Sequence, residues 1–422
     1  MLTETDAAPA LADDPVIATG TPLGPELLAG VAPDVGFAVW QVLRTLRLWT
    51  AQPEGQRDGL FDPGFMEAWE RALLTGSLEP DVRFPLAVIV GELNAHPAGE
   101  ARLSWACVCV ADWALGHGAV RAGLAFAEAA ALASPTQARY AWLAGRLLRT
   151  HGEGRTAERW LRRAYRLAVA QKDGDTQARA LTALGNLLWQ RGNLVSARAL
   201  HLRALRTSRR WRLREHEGMA LHDLFVVATD QKNRAEAEQY ARAAVAACRS
   251  SERLPRLAHD IAYEWMEQGY CARALRVFDA LRPHFPRPDH AVKVVANQAR
   301  AAGGIGDRAL FLQRHSEALS LVPMLDTREA LAAAFLDMAY GAVALEEWQI
   351  ALDLAAEAAE AAQIHSDKAT QMRAEALAGA VERRDLSGVD AVVSERRATI
   401  PAGEQFAAEM VSLLAQGAGA VA

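Results

Sequence analysis

The sequence predicts an all-α fold, a right-handed α-solenoid superhelix built from stacked antiparallel helical hairpins. Apolar residues recur every three and four positions along most of the chain after Pro33, as they do on the buried face of a helix. β-Branched residues are sparse and no alternating pattern is sustained, so strands are not expected. Segments in the middle of the chain also match one another at an offset of 40 residues, which indicates an internal repeat.

Composition narrows the class of protein. Of the 422 residues, 51% are hydrophobic and 23% are charged, so most of the chain should fold, and it is long for one compact core. No apolar run could cross a bilayer and the first residues lack a signal-peptide pattern, so we expect a cytoplasmic protein without a membrane partner. Four cysteines make no disulfide framework. Only four of the 46 basic residues are lysine, which suggests a GC-rich bacterial coding bias.

Residues 1–25 lack periodicity and are predicted to form a flexible tail, and residues 26–100 are predicted to form an N-terminal helical extension. One buried helical face in this extension is predicted from the spacing of Val39, Val42, Leu43, Leu46 and Trp49. A second is predicted from Phe65, Trp69, Leu73 and Leu74. A third helix is expected over residues 84–93.

The repeat is clearest where residues 185–205 are aligned with residues 145–165. The matched pairs are Gly145 with Gly185, Leu148 with Leu188, Gly152 with Gly192, Ala157 with Ala197 and Ala164 with Ala204. The same offset leads from Ala197 to Ala237, and weaker copies place the equivalent alanine at Ala122, Ala274, Ala309 and Ala351. Small residues let two helices approach closely, and glycine between them permits a turn, so each copy is predicted to be a helical hairpin. The alternative is an alanine-rich bundle with chance matches.

The predicted array covers residues 101–366 with about seven hairpins. The proposed hairpins are 103–134, 138–170, 178–210, 218–250, 255–284, 290–322 and 332–364. Residues 367–422 are predicted to supply C-terminal cap helices and a tail, with a cap helix over 372–383 and one or two short helices around Pro401.

The repeat residues resemble the tetratricopeptide repeat family. The positions that carry the resemblance are Leu181, Leu184, Gly185, Leu188, Gly192, Ala197 and Ala204. The likeness extends over about 60% of the chain, although the closing proline is mostly missing, His201 replaces an aromatic residue and the period exceeds the usual 34. Repeats of this length resemble those of kinesin light chains and of some bacterial regulators. The resemblance implies a scaffold or adaptor for protein–protein interaction that is not an enzyme. The alternative is a signalling sensor that binds a small peptide or ligand and changes superhelical shape.

Charge is distributed unevenly along the chain. Residues 139–214 hold 18 basic and 4 acidic side chains, whereas residues 1–100 hold 5 basic and 15 acidic ones. We call residues 139–214 the basic island. It could dock an acidic protein or peptide, or its basic outer faces could be solvated or matched by the acidic N-terminal segment. The net charge of −5 and the absence of a nucleic-acid-reading motif argue against nucleic acid.

Family resemblance assigns the first helix of each hairpin to a concave groove. The residues predicted to bind a partner there are Arg139, Trp142, Arg146, Arg149, Arg179, Asn186, Trp189, Gln190, His222, His259 and Tyr263. Arginine forks onto carboxylates and tryptophan offers a flat apolar surface, which suits peptide binding. The family's clamp for a C-terminal carboxylate is matched only at Asn186, so that specificity is not expected.

No pattern of catalytic, cofactor-binding or metal-binding residues emerges. His222-Asp223 and His259-Asp260 occupy equivalent places in neighbouring repeats, but repeat helices about 8–10 Å apart would not let the two imidazoles share an ion. Cys107 and Cys109 are two residues apart on a helix and diverge. The glycine-rich stretch 302–306 follows a helix, so it is interpreted as an inter-helix turn. We therefore expect no catalytic residues, no cofactor and no metal. The oligomeric state stays open.

Overall fold

The computed structural model describes residues 27, 29, 31–249, 252–325, 328, 330–365, 367–387, 389 and 401–418. Within these residues the regular structure consists of 19 α-helices and short 3-10 turns. The predicted all-α fold class is therefore confirmed. The chain divides into two compact units, Met1–Gln231 and Lys232–Ala422. The tail predicted at residues 1–25 lies outside the described residues.

The first unit begins with three helices and continues with hairpins. The helices are α1 (Pro33–Ala51), α2 (Pro63–Thr75), α3 (Pro80–Asn94), α4 (Glu100–Gly116), α5 (Val120–Ala133), α6 (Ala138–Thr150), α7 (Gly154–Gln171), α8 (Gly174–Gln190), α9 (Leu194–Arg210) and α10 (Arg214–Asp230). The hairpins are α4–α5, α6–α7 and α8–α9, and the second helix of each packs on the first helix of the next. The first helices α6, α8 and α10 also touch in sequence, so they form one face of the unit.

The second unit repeats this arrangement. Its helices are α11 (Arg234–Ala247), α12 (Leu254–Glu267), α13 (Cys271–Leu281), α14 (Pro288–Ile305), α15 (Arg308–Leu321), α16 (Leu331–Ala344), α17 (Trp348–Ile364), α18 (Lys368–Arg383) and α19 (Pro401–Ala418). The hairpins are α12–α13, α14–α15 and α16–α17, and α18 packs on α17 as a closing helix. The helix around Pro401 is a single helix of 18 residues, and it packs on α12 and α13.

A residue with left-handed backbone follows the first helix of each of the six hairpins, and another follows α10. These residues are Gly118, Gly152, Gly192, Lys232, Gly269, Gly306 and Glu346, with φ between 57° and 84°. Successive members are 34, 40, 40, 37, 37 and 40 residues apart, which gives the repeat its measured period. Glycine occupies five of the seven places because it adopts positive φ without a steric penalty.

Glycines at the helix contacts show why the predicted small residues matter. A Cβ atom on Gly145 would lie 2.7 Å from Cγ of Leu161, and one on Gly185 would lie 2.4 Å from Cε1 of His201. The predicted role of these glycines in close helix approach is thus confirmed. His201 is fully buried and fills the place that an aromatic residue takes in the family pattern.

Two expectations for the N-terminal extension have different outcomes. All five residues of the face predicted in α1 are buried. The face predicted in α2 is partly wrong, because Phe65 is 63% exposed and Leu74 is 41% exposed, whereas Met66 and Leu73 are buried. Among the described elements α2 packs extensively only on α3, so a narrow stripe of its apolar surface is covered.

The expectation that residues 302–306 form a turn is also partly wrong. Helix α14 continues to Ile305, and only Gly306, at φ 84°, makes the turn. Gly303 lies inside the helix, where a Cβ atom would be 2.2 Å from the carbonyl oxygen of Gly341 in α16. Gly303 is needed because two helices approach closely at this position. In the sequence, a glycine with this role looks the same as a glycine in a turn.

Candidate partner-binding face

The predicted partner-binding residues fall into two groups, one in each unit. In the first unit, Arg139, Trp142, Arg146 and Arg149 lie on α6, Arg179, Asn186, Trp189 and Gln190 lie on α8, and His222 lies on α10. In the second unit, His259 and Tyr263 lie on α12. We call the surface of α6, α8 and α10 the first-helix face of the first unit.

The centre of this face is an arginine–tryptophan cluster that consists of Trp142, Arg146, Arg149 and Arg179. The guanidinium carbon of Arg146 lies 5.3 Å from the centre of the Trp142 ring, and that of Arg179 lies 5.0 Å from it. Both distances fall within the range of cation–π attraction. The half-buried Trp142 also packs against the buried residues Leu161 and Leu184, so the ring has a fixed seat.

The positive charge in this cluster is only partly neutralised. Burial lowers the pKa of Arg146, the carboxylate of Asp112 opposes this effect, and the neighbouring Arg179 adds to it. Burial likewise lowers the pKa of Arg149, opposed by Asp223 and reinforced by Arg146. Nε of Arg149 is buried without a hydrogen-bond partner. An additional anion beside these guanidinium groups would therefore offset the cost of burying their charge and would weaken their mutual repulsion.

Arg179 is the best neutralised member of the cluster. Its Nε donates to Oδ2 of Asp175 at 2.7 Å, one helical turn earlier on α8. Such an i, i+4 pair is half-exposed and worth little on its own, so it holds the side chain in place without consuming its whole charge.

The remaining predicted residues of the first unit lie around the cluster. Arg139 contacts the next residue in the chain, because its Nη2 donates to the hydroxyl of Tyr140 at 2.8 Å. Nε1 of the exposed Trp189 donates to Oδ2 of Asp230 at the end of α10. His222 stacks on Phe225 with ring centres 6.4 Å apart. Asn186 is half-buried and Gln190 is exposed.

Acidic side chains on or beside this face were missed by sequence reasoning, and one of them, Asp112, lies on α4. They are Asp112, Asp175, Asp223 and Asp230. Nδ1 of the buried His201 lies 3.5 Å from Oδ2 of Asp223. A signal for Asp112 existed in the repeat, because Asp112, Arg146 and Asn186 each precede a turn glycine by six residues. Reading that register would have placed the three side chains in equivalent positions.

In the second unit, His259 and Tyr263 belong to a buried hydrogen-bond network. Nε2 of His259 lies 2.9 Å from Oδ1 of Asn297, whose Nδ2 donates to Oδ2 of Asp337 at 2.8 Å. The hydroxyl of Tyr263 donates to Oδ1 of Asp337 at 3.2 Å, and Nη1 of Arg300 donates to the same atom at 2.7 Å. These side chains tie the first helices α12, α14 and α16 together. The partner-binding role of His259 and Tyr263 stays a prediction.

Arg300 is the charged centre of this network and is only 3% exposed. Burial by itself would lower the pKa of Arg300, but the carboxylates of Asp337 and Glu267 outweigh burial and hold the pKa above its ordinary value. Nη2 of Arg300 lies 2.6 Å from Oε1 of Glu267. The guanidinium is therefore a permanently charged, paired group inside the helix stack.

In the part of the chain that the structure describes, no three or more His, Cys, Asp or Glu side chains are grouped so that they could hold a metal ion. No described helix combines the length and the apolar character needed to span a membrane. Burial raises the pKa of Cys107, so that thiol stays protonated at neutral pH.

Comparison with known proteins gives the following results. No family model matches the chain, and no curated protein matches it. Among solved structures, one described as a functional characterisation of Pseudomonas aeruginosa PilF has a TM-score of 0.41 and 18% identity, and the match covers 60% of this chain and 98% of that one. A Rap protein complexed with competence and sporulation factor has a TM-score of 0.46 and 10% identity, and the match covers 84% and 99%.

At such TM-scores, the description of the fold rests on this chain's own helices. Helical hairpins packed in sequence, with a left-handed residue after each first helix, make this a tetratricopeptide-like helical protein. The arginine–tryptophan cluster on the first-helix face of the first unit is the feature that distinguishes the chain from a generic array of hairpins.

Proposed function

We propose that the protein is an interaction scaffold or adaptor, and that the first-helix face of the first unit holds an acidic segment of a partner protein. The observation that carries the proposal is the arginine–tryptophan cluster, in which two guanidinium groups lie against one tryptophan ring. Arginine binds carboxylates in a bidentate geometry, and tryptophan supplies a large apolar area at a low entropic cost. The proposal assigns no catalytic step to the chain and places it in the cytoplasm.

Charge compensation elsewhere in the basic island supports this choice of surface. Glu158 on α7 accepts hydrogen bonds from Arg162 at 2.7 Å and from Arg191 at 2.6 Å, so one carboxylate serves two arginines. These pairs account for part of the island within the unit itself. Arg146 and Arg149 are less well compensated. Burial and neighbouring positive charge lower their pKa values, and nearby carboxylates offset only part of this effect.

Binding on this face would need little rearrangement. The Trp142 ring is already seated on the core, and Arg179 is held by Asp175. A partner segment on this face would therefore meet a tryptophan and an arginine whose conformational entropy is already reduced. We therefore expect a pre-formed surface, in which affinity comes from electrostatic pairing and from stacking on the tryptophan.

The test compares the wild type with a double charge reversal, Arg146→Glu with Arg149→Glu. A matched control, Arg206→Glu with Arg210→Glu, removes the same charge from exposed positions on α9. Each protein is titrated with a fluorescein-labelled acidic peptide, Glu-Glu-Trp-Glu-Glu, and used to capture partners for mass spectrometry. We expect the face variant to lose at least about tenfold in affinity and to lose captured partners, while the control retains both.

Salt provides an independent readout. Affinity for the probe peptide should fall as salt rises from about 50 to about 300 mM, because screening weakens half-exposed ion pairs. Equal affinity of the face variant and the wild type, or an equal loss in the control, contradicts the assignment of this face. Circular dichroism of both variants checks that their helices are intact.

A further inference from the structure

Helix α19 does not continue the row of hairpins in the second unit. It packs on α12 and α13, although more than 100 residues separate it from them in the sequence. Four apolar side chains on one side of α19 are at most 2% exposed, and these are Phe406, Ala407, Met410 and Leu414. The apolar side of α19 therefore packs into a groove, in the way that an amphipathic peptide helix binds to a partner protein.

The polar centre of this groove is a carboxylate pocket built around Arg273, which is only 4% exposed. Its guanidinium carbon lies 5.2 Å from the ring centre of Trp265 and 4.4 Å from that of Tyr270. Nε of Arg273 donates to Oε1 of Glu404 at 2.9 Å, and Arg276 donates to the second oxygen of that carboxylate. Trp265 of α12 and Tyr270 of the turn before α13 flank Arg273, and Glu404 of α19 completes the pocket.

An aromatic subsite lies beside the carboxylate pocket. The Phe406 ring meets Trp265 edge to face, with ring centres 5.7 Å apart and planes at 82°. The guanidinium carbon of Arg242 lies 4.5 Å from the centre of the Phe406 ring, and Nη2 of Arg242 donates to the carbonyl oxygen of Ala402 at 2.9 Å. A Cβ atom on Gly403 would lie 2.4 Å from Nη1 of Arg273, so a small residue is required before the glutamate.

We propose that this groove, formed by Arg242, Trp265, Tyr270, Arg273 and Arg276, is a second docking surface, which takes an amphipathic helix from a partner protein, and that α19 is its built-in competitor. The partner helix has the pattern of α19, Gly-Glu-x-Phe-x-x-x-Met, in which the glutamate enters the carboxylate pocket and the phenylalanine packs on Trp265. The groove is lined by arginine, tryptophan and tyrosine, the residue types that dominate binding hot spots. It is separate from the first-helix face of the first unit.

Helix α19 is joined covalently to the array, so a partner helix must outcompete a local ligand. Residues 384–400 separate α18 from α19, and 17 residues span at most about 60 Å. Glu404 and Phe406 make the polar and aromatic contacts at the centre of the groove, so changing either of them should shift the exchange measurably.

The experiment uses the full chain and a fluorescein-labelled peptide of residues 401–418 as the probe. In the wild type, α19 occupies the groove and the probe should bind weakly. Glu404→Arg places a positive charge beside Arg273 and Arg276, so it should release α19 and strengthen probe binding at least tenfold. Glu360→Arg on the exposed side of α17 is the charge-matched control and should behave as the wild type does. Adding Arg273→Glu to the Glu404→Arg variant should abolish binding of the probe.

Hydrogen exchange separates release from general unfolding. In the Glu404→Arg variant, amides of α19 should exchange faster while those of α16 stay as protected as in the wild type. Phe406→Ala should have the same effect without a change of charge. The proposal is overturned if probe affinity is equal in wild type, Glu404→Arg and Phe406→Ala, or if α19 stays protected in both variants. It is also overturned if adding Arg273→Glu to the Glu404→Arg variant leaves probe binding unchanged.

Discussion

Replacing Gly303 by alanine tests how closely two first helices approach. A Cβ atom on Gly303 would lie 2.2 Å from the carbonyl oxygen of Gly341 and 2.6 Å from its Cα atom. These distances are more than 1 Å short of van der Waals contact. Because the opposing atoms belong to the backbone, no side-chain rotation relieves the clash, and α14 and α16 must move apart.

The expected magnitude is the difference between two effects. Alanine is favoured over glycine inside a helix by about 1 kcal/mol. Overpacking costs about 1–3 kcal/mol, and a clash with backbone places this site at the upper end of that range. The free energy of unfolding should therefore fall by about 2 kcal/mol. Gly379→Ala in α18 is the control, because its Cβ atom would meet only the mobile guanidinium of Arg383, at 3.1 Å. That variant should gain about 0.5–1 kcal/mol.

Urea unfolding followed by circular dichroism gives the free energies, and hydrogen exchange of α14 and α16 localises the change. The second unit spans residues 232–422, so a loss of about 2 kcal/mol should lower its Tm by about 4–8 °C. Wild-type stability in the Gly303→Ala variant, together with a stabilised Gly379→Ala variant, would refute the close backbone contact. Destabilisation of both variants would refute the reasoning about mobile neighbours.

Two further predictions concern buried polar groups. Trp160→Phe removes the indole donor that lies 3.1 Å from Oε1 of the fully buried Glu128, and should cost about 1–3 kcal/mol in urea unfolding. Arg300→Met leaves Asp337 buried without its cation and should cost about 3–5 kcal/mol. The double variant with Asp337→Leu should lose less than the sum of the single changes, and additive losses in the cycle would contradict the pairing.

Periodicity predicted much of the fold, and its failures have a physical cause. The turn glycines Gly152 and Gly192 were visible because positive φ favours glycine. Lys232 and Glu346 adopt the same conformation without glycine, so the sequence gives no such signal there. Phe65 shows a second limit, because helical spacing indicates a shared face but not whether a neighbouring helix covers it.

The candidate site was only partly predictable, for a related reason. Family resemblance and repeat register placed Trp142, Arg146 and Arg179 on neighbouring first helices, and the structure brings them together. The carboxylates that partly neutralise these arginines come from other repeats, as Asp223 does for Arg149. Such pairs depend on the angle between helices and on rotamers, which spacing along the chain does not determine.

Helix α19 shows how the same limit affects a whole element. The spacing of Phe406, Met410 and Leu414 is sufficient to predict a helix with one apolar side. That spacing does not identify the surface on which α19 docks. Glu404 and Arg273 are 131 residues apart, and they pair only after α12 and α13 have positioned the guanidinium group. An amphipathic helix outside a repeat array therefore carries a general capacity to dock. Its receptor is specified by the few charged and aromatic residues that meet it, so sequence searches for partners of this groove should use the spacing of glycine, glutamate and phenylalanine rather than apolar periodicity alone.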